Sequence, residues 1–252
     1  MRYASLGSGS KGNGTLVQFG DQLLLIDCGF TIKEVERRIA KLGYSPADIT
    51  GILVTHEHGD HLKGVPPLSR KYKLPVYMTP GTFRSKAMGE LPKLHLVEGY
   101  QPFELGGISI EPVAVPHDAR EPAQFVFTAD SKRLGILTDL GSISAHVEER
   151  FNECDALVLE ANYDPMMLAQ GPYPPSLKQR VGGPWGHLSN QQTAGFLERV
   201  NKERLKQLVV AHLSQKNNCV ELVQQVLFEV TQGIREVVYA CQDEGFDWLQ
   251  VE

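Results

Sequence analysis

Three histidines and one aspartate lie within six residues of this chain, between His56 and His61. The segment reads Thr-His-Glu-His-Gly-Asp-His-Leu from Thr55 to Leu62 and follows the apolar run Gly51–Val54, which predicts a buried strand. Imidazole suits zinc, iron or nickel, and a carboxylate beside it also tolerates manganese. The pattern therefore predicts a metal site on the loop that follows this strand.

The segment contains more ligand-type residues than one metal ion can use. A three-histidine site would use His56, His58 and one distant ligand, which leaves Asp60 and His61 for a second ion. We therefore expect two divalent ions, Zn²⁺, Mn²⁺ or Fe²⁺, bridged by water. The alternative is a polar loop whose histidines bind nothing.

Three further ligand-type residues come at the ends of predicted strands: His117, Asp139 and His212. His117 would complete the first metal site, and His212 the second. Asp139 has two carboxylate oxygens and would therefore bridge both ions. Each residue taken alone is as well explained by a turn at a strand end, but their order and placement in one chain favour ligands.

Asp27 ends another predicted strand, Leu23–Ile26, which pairs with Leu16–Phe19 through a two-residue turn. A metal-bound histidine needs an acceptor for its second ring N–H. We therefore expect Asp27 to orient a ligand imidazole, with a turn role alone as the alternative.

Predicted strands and helices alternate along the whole chain, without an internal repeat or a low-complexity linker. Apolar spacing predicts helices at Thr31–Leu42, Gln191–Val200 and Val220–Thr231. The other predicted strands are Ile52–Val54, Val76–Met78, Ile108–Pro112, Phe125–Thr128, Leu134–Leu137, Ala156–Leu159, Leu208–Val210, Val237–Ala240 and Phe246–Val251. This series predicts an α+β fold, an αββα sandwich of two mixed β-sheets flanked by helices, in a single domain over residues 1–252.

Composition limits the classes of partner. The net charge is -5 with 22% charged residues, so the surface as a whole does not indicate binding to nucleic acid or membrane. The N-terminus lacks an apolar signal core and no apolar run reaches about 18 residues, which predicts a cytoplasmic protein without a membrane span. The four cysteines form no Cys-x-x-Cys pair, which argues against a disulfide framework and a zinc knuckle; all four are expected to be packed thiols.

The segment from Asn162 to Pro184 holds five prolines and three glycines and is predicted to be an irregular loop. It also carries the basic residues Lys178 and Arg180. Loops of more than twenty residues are unusual in compact domains and are commonly functional. We therefore expect this segment to contact substrate.

The motifs together resemble the YycJ (WalJ) type of nuclease with a metallo-β-lactamase fold. The resemblance covers the whole chain and rests on the histidine motif, the opening Ser5–Asn13, and three later segments, Leu159–Asn162, Gly186–Asn190 and Ala211–Ser214. It implies a metal-dependent phosphodiesterase, and most directly a DNA exonuclease that acts in the 5′ to 3′ direction. Nucleic acid would then be the partner.

The later motifs are also similar to those of ribonuclease Z. That similarity implies that Glu160 orients His187, which would contact the scissile phosphate or protonate the leaving group. Asp60, His187 and Glu160 are thus the expected catalytic residues. In one departure from the YycJ type, Tyr163 stands where relatives carry histidine, so Tyr163 is not counted as a ligand.

Substrate contacts are expected from three regions of the chain. The segment from Gly7 to Gly14, with four glycines and two serines, can expose backbone N–H groups to an anion, or can be a flexible turn. The expected substrate-binding residues are Ser8, Ser10, Lys178, Arg180, Ser189 and Asn190.

The acidic net charge leaves a second function class open. Because a broad basic patch normally drives affinity for DNA, a small substrate is the alternative: a cyclic or diester phosphate, a thioester or a lactone. A scaffold role without catalysis is disfavoured by the full ligand set.

Overall fold

Fourteen strands are found in residues 1–83 and 88–252, the part of the chain that the computed structural model describes. In chain order they are β1 (Arg2–Gly7), β2 (Gly14–Phe19), β3 (Gln22–Ile26), β4 (Gly51–Leu53), β5 (Val76–Met78), β6 (Leu94–Leu96), β7 (Phe103–Leu105), β8 (Ile108–Ala114), β9 (Ala123–Ala129), β10 (Lys132–Leu137), β11 (Ala156–Glu160), β12 (Gln207–Ala211), β13 (Glu236–Tyr239) and β14 (Phe246–Gln250). They form two seven-stranded sheets, ordered β14-β1-β2-β3-β4-β5-β6 and β13-β12-β11-β10-β9-β8-β7.

Both sheets have the same pairing pattern. Strands β14, β1, β2 and β3 pair antiparallel, and β3 to β6 pair parallel. In the second sheet β7 to β10 pair antiparallel, and β10 to β13 pair parallel. Parallel neighbours end at the same edge of a sheet, so each sheet delivers the loops after its parallel strands to one side.

Helices of the described residues lie on the outer faces of the sheets or in the segments that connect strands. They are α1 (Ile32–Lys41), α2 (Gly59–Leu62), α3 (Val65–Tyr72), α4 (Ala145–Arg150), α5 (Pro165–Gln170), α6 (Pro175–Val181), α7 (Asn190–Arg199) and α8 (Val220–Leu227), with 3₁₀ turns at Pro46–Asp48 and Glu229–Thr231. Helix α1 buries Val35 and Ile39 against the first sheet, and α7 buries Phe196 and Leu197 against the second.

Three apolar clusters separate four layers. One lies between the sheets and contains Phe125 and Phe127 from the second sheet and Leu53 from the first. The other two lie between each sheet and its helices. The predicted αββα sandwich of two mixed sheets is therefore confirmed.

Most predicted elements are present with small changes in their ends. The β2–β3 hairpin has the predicted two-residue turn, in which Phe19 pairs with Gln22 and Gly20 has a φ of 53°. Thr31 caps α1 by accepting a hydrogen bond from Glu34 N. Strands β1 and β7 and helix α3 were not predicted, because their apolar runs are too short to show a period, whereas the alternation around His95 predicted the strand that is found as β6.

The prediction of an irregular loop from Asn162 to Pro184 is wrong. The segment contains α5 and α6, and both begin with a proline at the first helical position, Pro165 and Pro175. Proline is favoured there because the first N–H of a helix has no partner within the helix. Asp164 caps α5 by accepting hydrogen bonds from Met166 N and Met167 N.

Two other expectations concern a membrane-spanning helix and the burial of the cysteines. Among the described residues, no helix combines the length and apolarity that a membrane crossing requires. Cys28 and Cys154 are buried, but Cys241 is exposed, so the expectation of four packed thiols is wrong for that residue.

Candidate metal centre

Strand ends from both sheets supply the side chains of the site. Asp27, Asp139 and His212 come just after β3, β10 and β12, and all three have left-handed backbone, with φ values of 62°, 54° and 55°. Left-handed backbone is uncommon outside glycine, although Asp and His adopt it more readily than most residues. Each such residue costs about 1–3 kcal/mol, and this kind of strain is concentrated at functional sites.

The loop that carries the histidine motif is fixed through its backbone. Asn13 N donates to Asp60 O at 2.8 Å, and Cys28 N donates to His61 O at 2.7 Å. Gly29 also lies against this loop, where an added Cβ would come 1.9 Å from Asp60 O. The motif is therefore held by the segments before β2 and after β3.

Three ring nitrogens converge in the first cluster, which consists of His56, His58 and His117. His58 Nδ1 lies 3.1 Å from His56 Nε2 and 3.2 Å from His117 Nε2. Ligand atoms around a tetrahedral zinc ion, at about 2.1 Å from the metal, are about 3.4 Å apart. The spacing of these nitrogens therefore suits one ion.

The second cluster consists of Asp60, His61 and His212. His61 Nε2 lies 3.5 Å from Asp60 Oδ2, and His212 Nε2 lies 4.0 Å from the same oxygen. Asp139 Oδ2 is 3.3 Å from His61 Nε2, and Asp139 also forms a group with His56 and His61. Asp139 thus stands next to both clusters.

An oxygen lies behind the opposite ring nitrogen of four of these histidines. His61 Nδ1 contacts Asp27 Oδ2 at 2.8 Å, and His212 Nδ1 contacts Glu160 Oε1 at 2.8 Å. His117 Nδ1 contacts Gly186 O at 3.0 Å, and His56 Nδ1 contacts Thr55 Oγ1 at 2.9 Å. Each ring can therefore donate Nδ1–H backwards and direct Nε2 into the cluster, which is the usual arrangement behind a metal.

Burial and nearby charges shift the pKa values of four of the histidines in opposite directions, down for two in the first cluster and up for two in the second. Burial lowers the pKa of His117, and it lowers the pKa of His56 well below the usual range. Burial also acts to lower the pKa of His212, but the charge of Asp139 and the hydrogen bond to Glu160 outweigh it and raise the pKa to about 9. The pKa of His61 is likewise raised, against burial, by Asp139 and Asp27.

Asp139 provides the test of whether these residues fit a metal. Its side chain is 2% exposed, and Oδ2 is buried without a hydrogen-bond partner. Burial raises the pKa of Asp139, but His212 and His61 outweigh it and hold the pKa well below the usual range, so the group is charged. A buried charged oxygen without a donor is costly unless a cation compensates it. The donor set therefore fits divalent metal ions.

Glu160 joins His187 to the metal centre. Its Oε1 accepts from His187 Nδ1 at 2.7 Å and from His212 Nδ1 at 2.8 Å. Its Oε2 accepts from the backbone N–H groups of Leu140 and Leu188, both at 3.3 Å. The sequence predicted the contact with His187 but not the one with His212.

A cleft of about 360 Å³ opens over the clusters. Its lining includes Asp60, Asp139, His187 and His212, and also Ser10 and Arg180. Arg180 is the one lysine or arginine among the described lining residues, and its guanidinium donates to the Asp118 carboxylate.

Four of the expected substrate contacts do not line the cleft. Ser8 Oγ instead accepts from His212 N at 2.9 Å, and Ser189 caps α7 by accepting from Gln192 N. Asn190 is buried and bonded to Asn218, and the Lys178 amine donates to Ala169 O. These residues support the structure around the cleft.

The segment from Gly7 to Gly14 does not offer the expected row of free N–H groups. Gly9 N donates to Asn13 Oδ1 at 2.7 Å, and Lys11 N donates to Gln242 Oε1 at 2.8 Å. Ser8, Gly12 and Asn13 also donate their backbone N–H groups to carbonyl oxygens. These amides are used within the protein, and anion binding by the segment stays a prediction for Ser10, which lines the cleft.

Comparisons with known proteins agree with this geometry. The family described as "Beta-lactamase superfamily domain" matches residues 23–212. The chain belongs to this superfamily. The chain is 35% identical to exodeoxyribonuclease WalJ of Streptococcus pneumoniae (strain D39) over 90% of its length and 87% of that protein. It is 36% identical to exodeoxyribonuclease YycJ of Bacillus anthracis, over 94% of its length and 92% of that protein.

A solved structure shows the same fold. The metallo-β-lactamase-fold protein YhfI of Bacillus subtilis has a TM-score of 0.75 and 19% identity, with 98% of both chains covered. The predicted resemblance to the YycJ type is therefore confirmed, and so is the prediction of a hydrolase with this superfamily's fold.

Several residues around the two clusters were not predicted from the sequence. Asn13 Nδ2 lies 3.0 Å from His61 Nε2 and 3.4 Å from His212 Nε2, and Asp118 Oδ1 lies 3.7 Å from His58 Nε2. Asp118 had a signal, because it follows His117 directly in the chain. Asn13 ends the segment Ser5–Asn13, which carries the resemblance, but nothing in that segment indicated a contact with the histidines. Tyr163 is buried and forms a β-bridge with Ser189.

The pKa values predict that metal binding at the second cluster depends on pH. Because the pKa of His212 is about 9 and that of His61 is raised, the metal-free cluster holds protons at pH 7 that an ion must displace. A higher pH removes them beforehand, so affinity should rise up to about pH 9, by roughly tenfold per pH unit for each displaced proton.

Calorimetric titration with Mn²⁺ in two buffers of different ionisation enthalpy counts these protons. His212→Gln should reduce the count, whereas His95→Gln, at a half-buried histidine of β6 outside the site, should not. An affinity that stays constant from pH 7 to pH 9 would contradict the assignment.

Proposed function

We propose that this protein is a dinuclear metal-dependent phosphodiesterase that degrades DNA as an exonuclease, in the 5′ to 3′ direction. The observation that carries the proposal is the similarity to two exodeoxyribonucleases over about nine tenths of the chain, together with a metal-binding cleft at the matched motifs. Nucleic acid is then the substrate of the cleft.

The proposed ion sites follow the two clusters. His56, His58 and His117 hold one ion, and Asp60, His61 and His212 hold the other. Asp139 contributes to both, since its unpartnered Oδ2 lies beside His61 and it also groups with His56. Imidazole with carboxylate suits Zn²⁺, Mn²⁺ or Fe²⁺.

When bound, divalent ions would lower the pKa of a water and stabilise negative charge on the attacked phosphate. The protein's own part is to fix the ligands. Asp27 and Glu160 accept from His61 and His212 and thereby set which ring nitrogen faces the cleft.

His187 is proposed as the proton donor to the leaving oxygen. Its side chain is 21% exposed and lines the cleft, while Nδ1 is held by Glu160, which leaves Nε2 for substrate. Burial acts to lower the pKa of His187, but the charge and hydrogen bond of Glu160 outweigh it and raise the pKa. The ring thus holds the proton that the departing alkoxide needs near neutral pH.

One observation favours a second candidate, hydrolysis of a small phosphodiester. The cation of the cleft, Arg180, is already paired with Asp118, so the described lining offers no unpaired arginine or lysine to a long polyanion. The alternative therefore remains in competition with the nuclease proposal, and one assay decides between them.

That assay uses purified protein loaded with Mn²⁺ or Zn²⁺ and DNA labelled at either end. If the enzyme acts in the proposed 5′ to 3′ direction, label at the 5′ end should be released as mononucleotide before label at the 3′ end. Asp139→Asn, which alters the carboxylate shared by the proposed ion sites, should lower the rate at least about 10²-fold and thus controls for contaminating nucleases. Intact DNA in the presence of rapid hydrolysis of bis(p-nitrophenyl) phosphate would favour the small-substrate alternative.

The proton-donor role of His187 has its own test. Because a placed general acid typically contributes about 10² to 10⁴ in rate, His187→Ala should lose activity on DNA in that range. The loss should be much smaller on bis(p-nitrophenyl) phosphate, whose leaving group hardly needs a proton. Metal content and melting temperature, measured on the same preparation, should stay unchanged; a parallel loss of metal would make His187 a ligand instead.

A further inference from the structure

A second concave surface lies outside the metal cleft. It is a groove of about 400 Å³ with two strongly exposed aromatic side chains, Trp185 at 59% and Tyr100 at 71% exposure. We call it the aromatic groove; its lining residues are Tyr100, Ala114, Val115, Pro116, Ser144, His146 and Trp185. The described part of this lining contains no lysine or arginine.

Two segments of the aromatic groove run directly into the metal centre. Pro116 precedes His117, and Trp185 lies two residues before His187, which limits the separation of its Cα atom from that of His187 to about 7 Å. A strand whose phosphate is held in the cleft therefore has bases within reach of Trp185.

Hydrogen bonds hold Trp185 in place beside the ligands. Asp118 N donates to Trp185 O at 2.9 Å, and Gly141 N donates to Pro116 O at 2.8 Å. Gly141 permits this packing because an added Cβ would come 2.5 Å from Trp185 N. The backbone under the exposed ring is thus fixed, so only the side chain has to be ordered when a flat ligand binds.

The chemistry of the aromatic groove suits bases better than phosphates. Exposed indole and phenol rings stack on nucleobases with about 1–3 kcal/mol per base, whatever the sequence. A surface for the sugar-phosphate backbone would instead carry cations. Tyr100 also lies against His146, with ring centroids 5.5 Å apart, so three rings share the surface.

We propose that the aromatic groove stacks unpaired bases of the strand whose phosphate lies in the metal cleft, so that the enzyme acts on single-stranded DNA ends. This inference rests on the proposed nuclease function and specifies its substrate. Inside a duplex the bases present only their edges, and only the outer face of the last pair is open, so a duplex end has to open before successive bases can stack in the aromatic groove.

The test compares Trp185→Ala with Trp185→Phe and with Phe228→Ala, which removes an equally exposed aromatic ring after α8. KM for single-stranded DNA, and Kd for a cleavage-resistant phosphorothioate strand on the metal-loaded enzyme, should rise about 5- to 150-fold in Trp185→Ala. Trp185→Phe should recover most of this, and Phe228→Ala should match the unmodified protein. Hydrolysis of bis(p-nitrophenyl) phosphate should not change in any variant.

Abasic strands identify the contact as base stacking. The unmodified protein should bind a strand with abasic sites near its 5′ end less tightly than an ordinary strand, and Trp185→Ala should remove that difference. Unchanged Kd in Trp185→Ala, an equal loss on the small diester, or loss of a dimer without loss of DNA affinity would each overturn the inference. If the unmodified protein cleaves no DNA at all, the proposed function itself fails.

Discussion

A buried carboxylate next to two clusters of imidazoles is the constraint on which the site depends. Asp139 has almost no exposed surface, and its Oδ2 lies 3.3 Å from His61 Nε2 without a well-aligned hydrogen bond. Such a charge is tolerated only beside compensating positive charge. In the metal-free protein His61 and His212 supply it, since both have raised pKa values. Divalent ions would supply it in the loaded enzyme, which explains why the protonation of the second cluster and its metal affinity are coupled.

The pairing pattern of the sheets explains how distant residues reach this carboxylate. Each sheet changes from antiparallel to parallel pairing, at β3 in the first and at β10 in the second. The residues after these strands leave through left-handed backbone at Asp27 and Asp139, and His212 does the same after β12. The strain at these three positions is offset by the packing of the strands behind them, where the core is fully buried.

The sequence predicted which residues lie in the two clusters because each group of them follows a short apolar run, and such runs can be recognised without tertiary information. It predicted less where a contact depends on a distant segment. Glu160 accepts from His212 as well as His187 because β11 and β12 are neighbours, which no local pattern reveals.

Ser189 and Asn190 lie next to His187 in the chain, but a cap and a buried amide pair turn them away from the cleft. The prolines between Asn162 and Pro184 indicated a loop, whereas two of them begin helices. No sequence pattern indicated the aromatic groove, because Tyr100 and Trp185 are 85 residues apart in the sequence and line one surface only in the folded protein.

The central claim is that one carboxylate is shared by two ions, and anomalous diffraction from crystals grown with Mn²⁺ tests it most directly. The account predicts two manganese peaks about 3.5–4 Å apart, one among His56, His58 and His117 and the other among Asp60, His61 and His212, with Asp139 bound to both. A single peak in fully loaded crystals, or two peaks of which only one is in contact with Asp139, would contradict it.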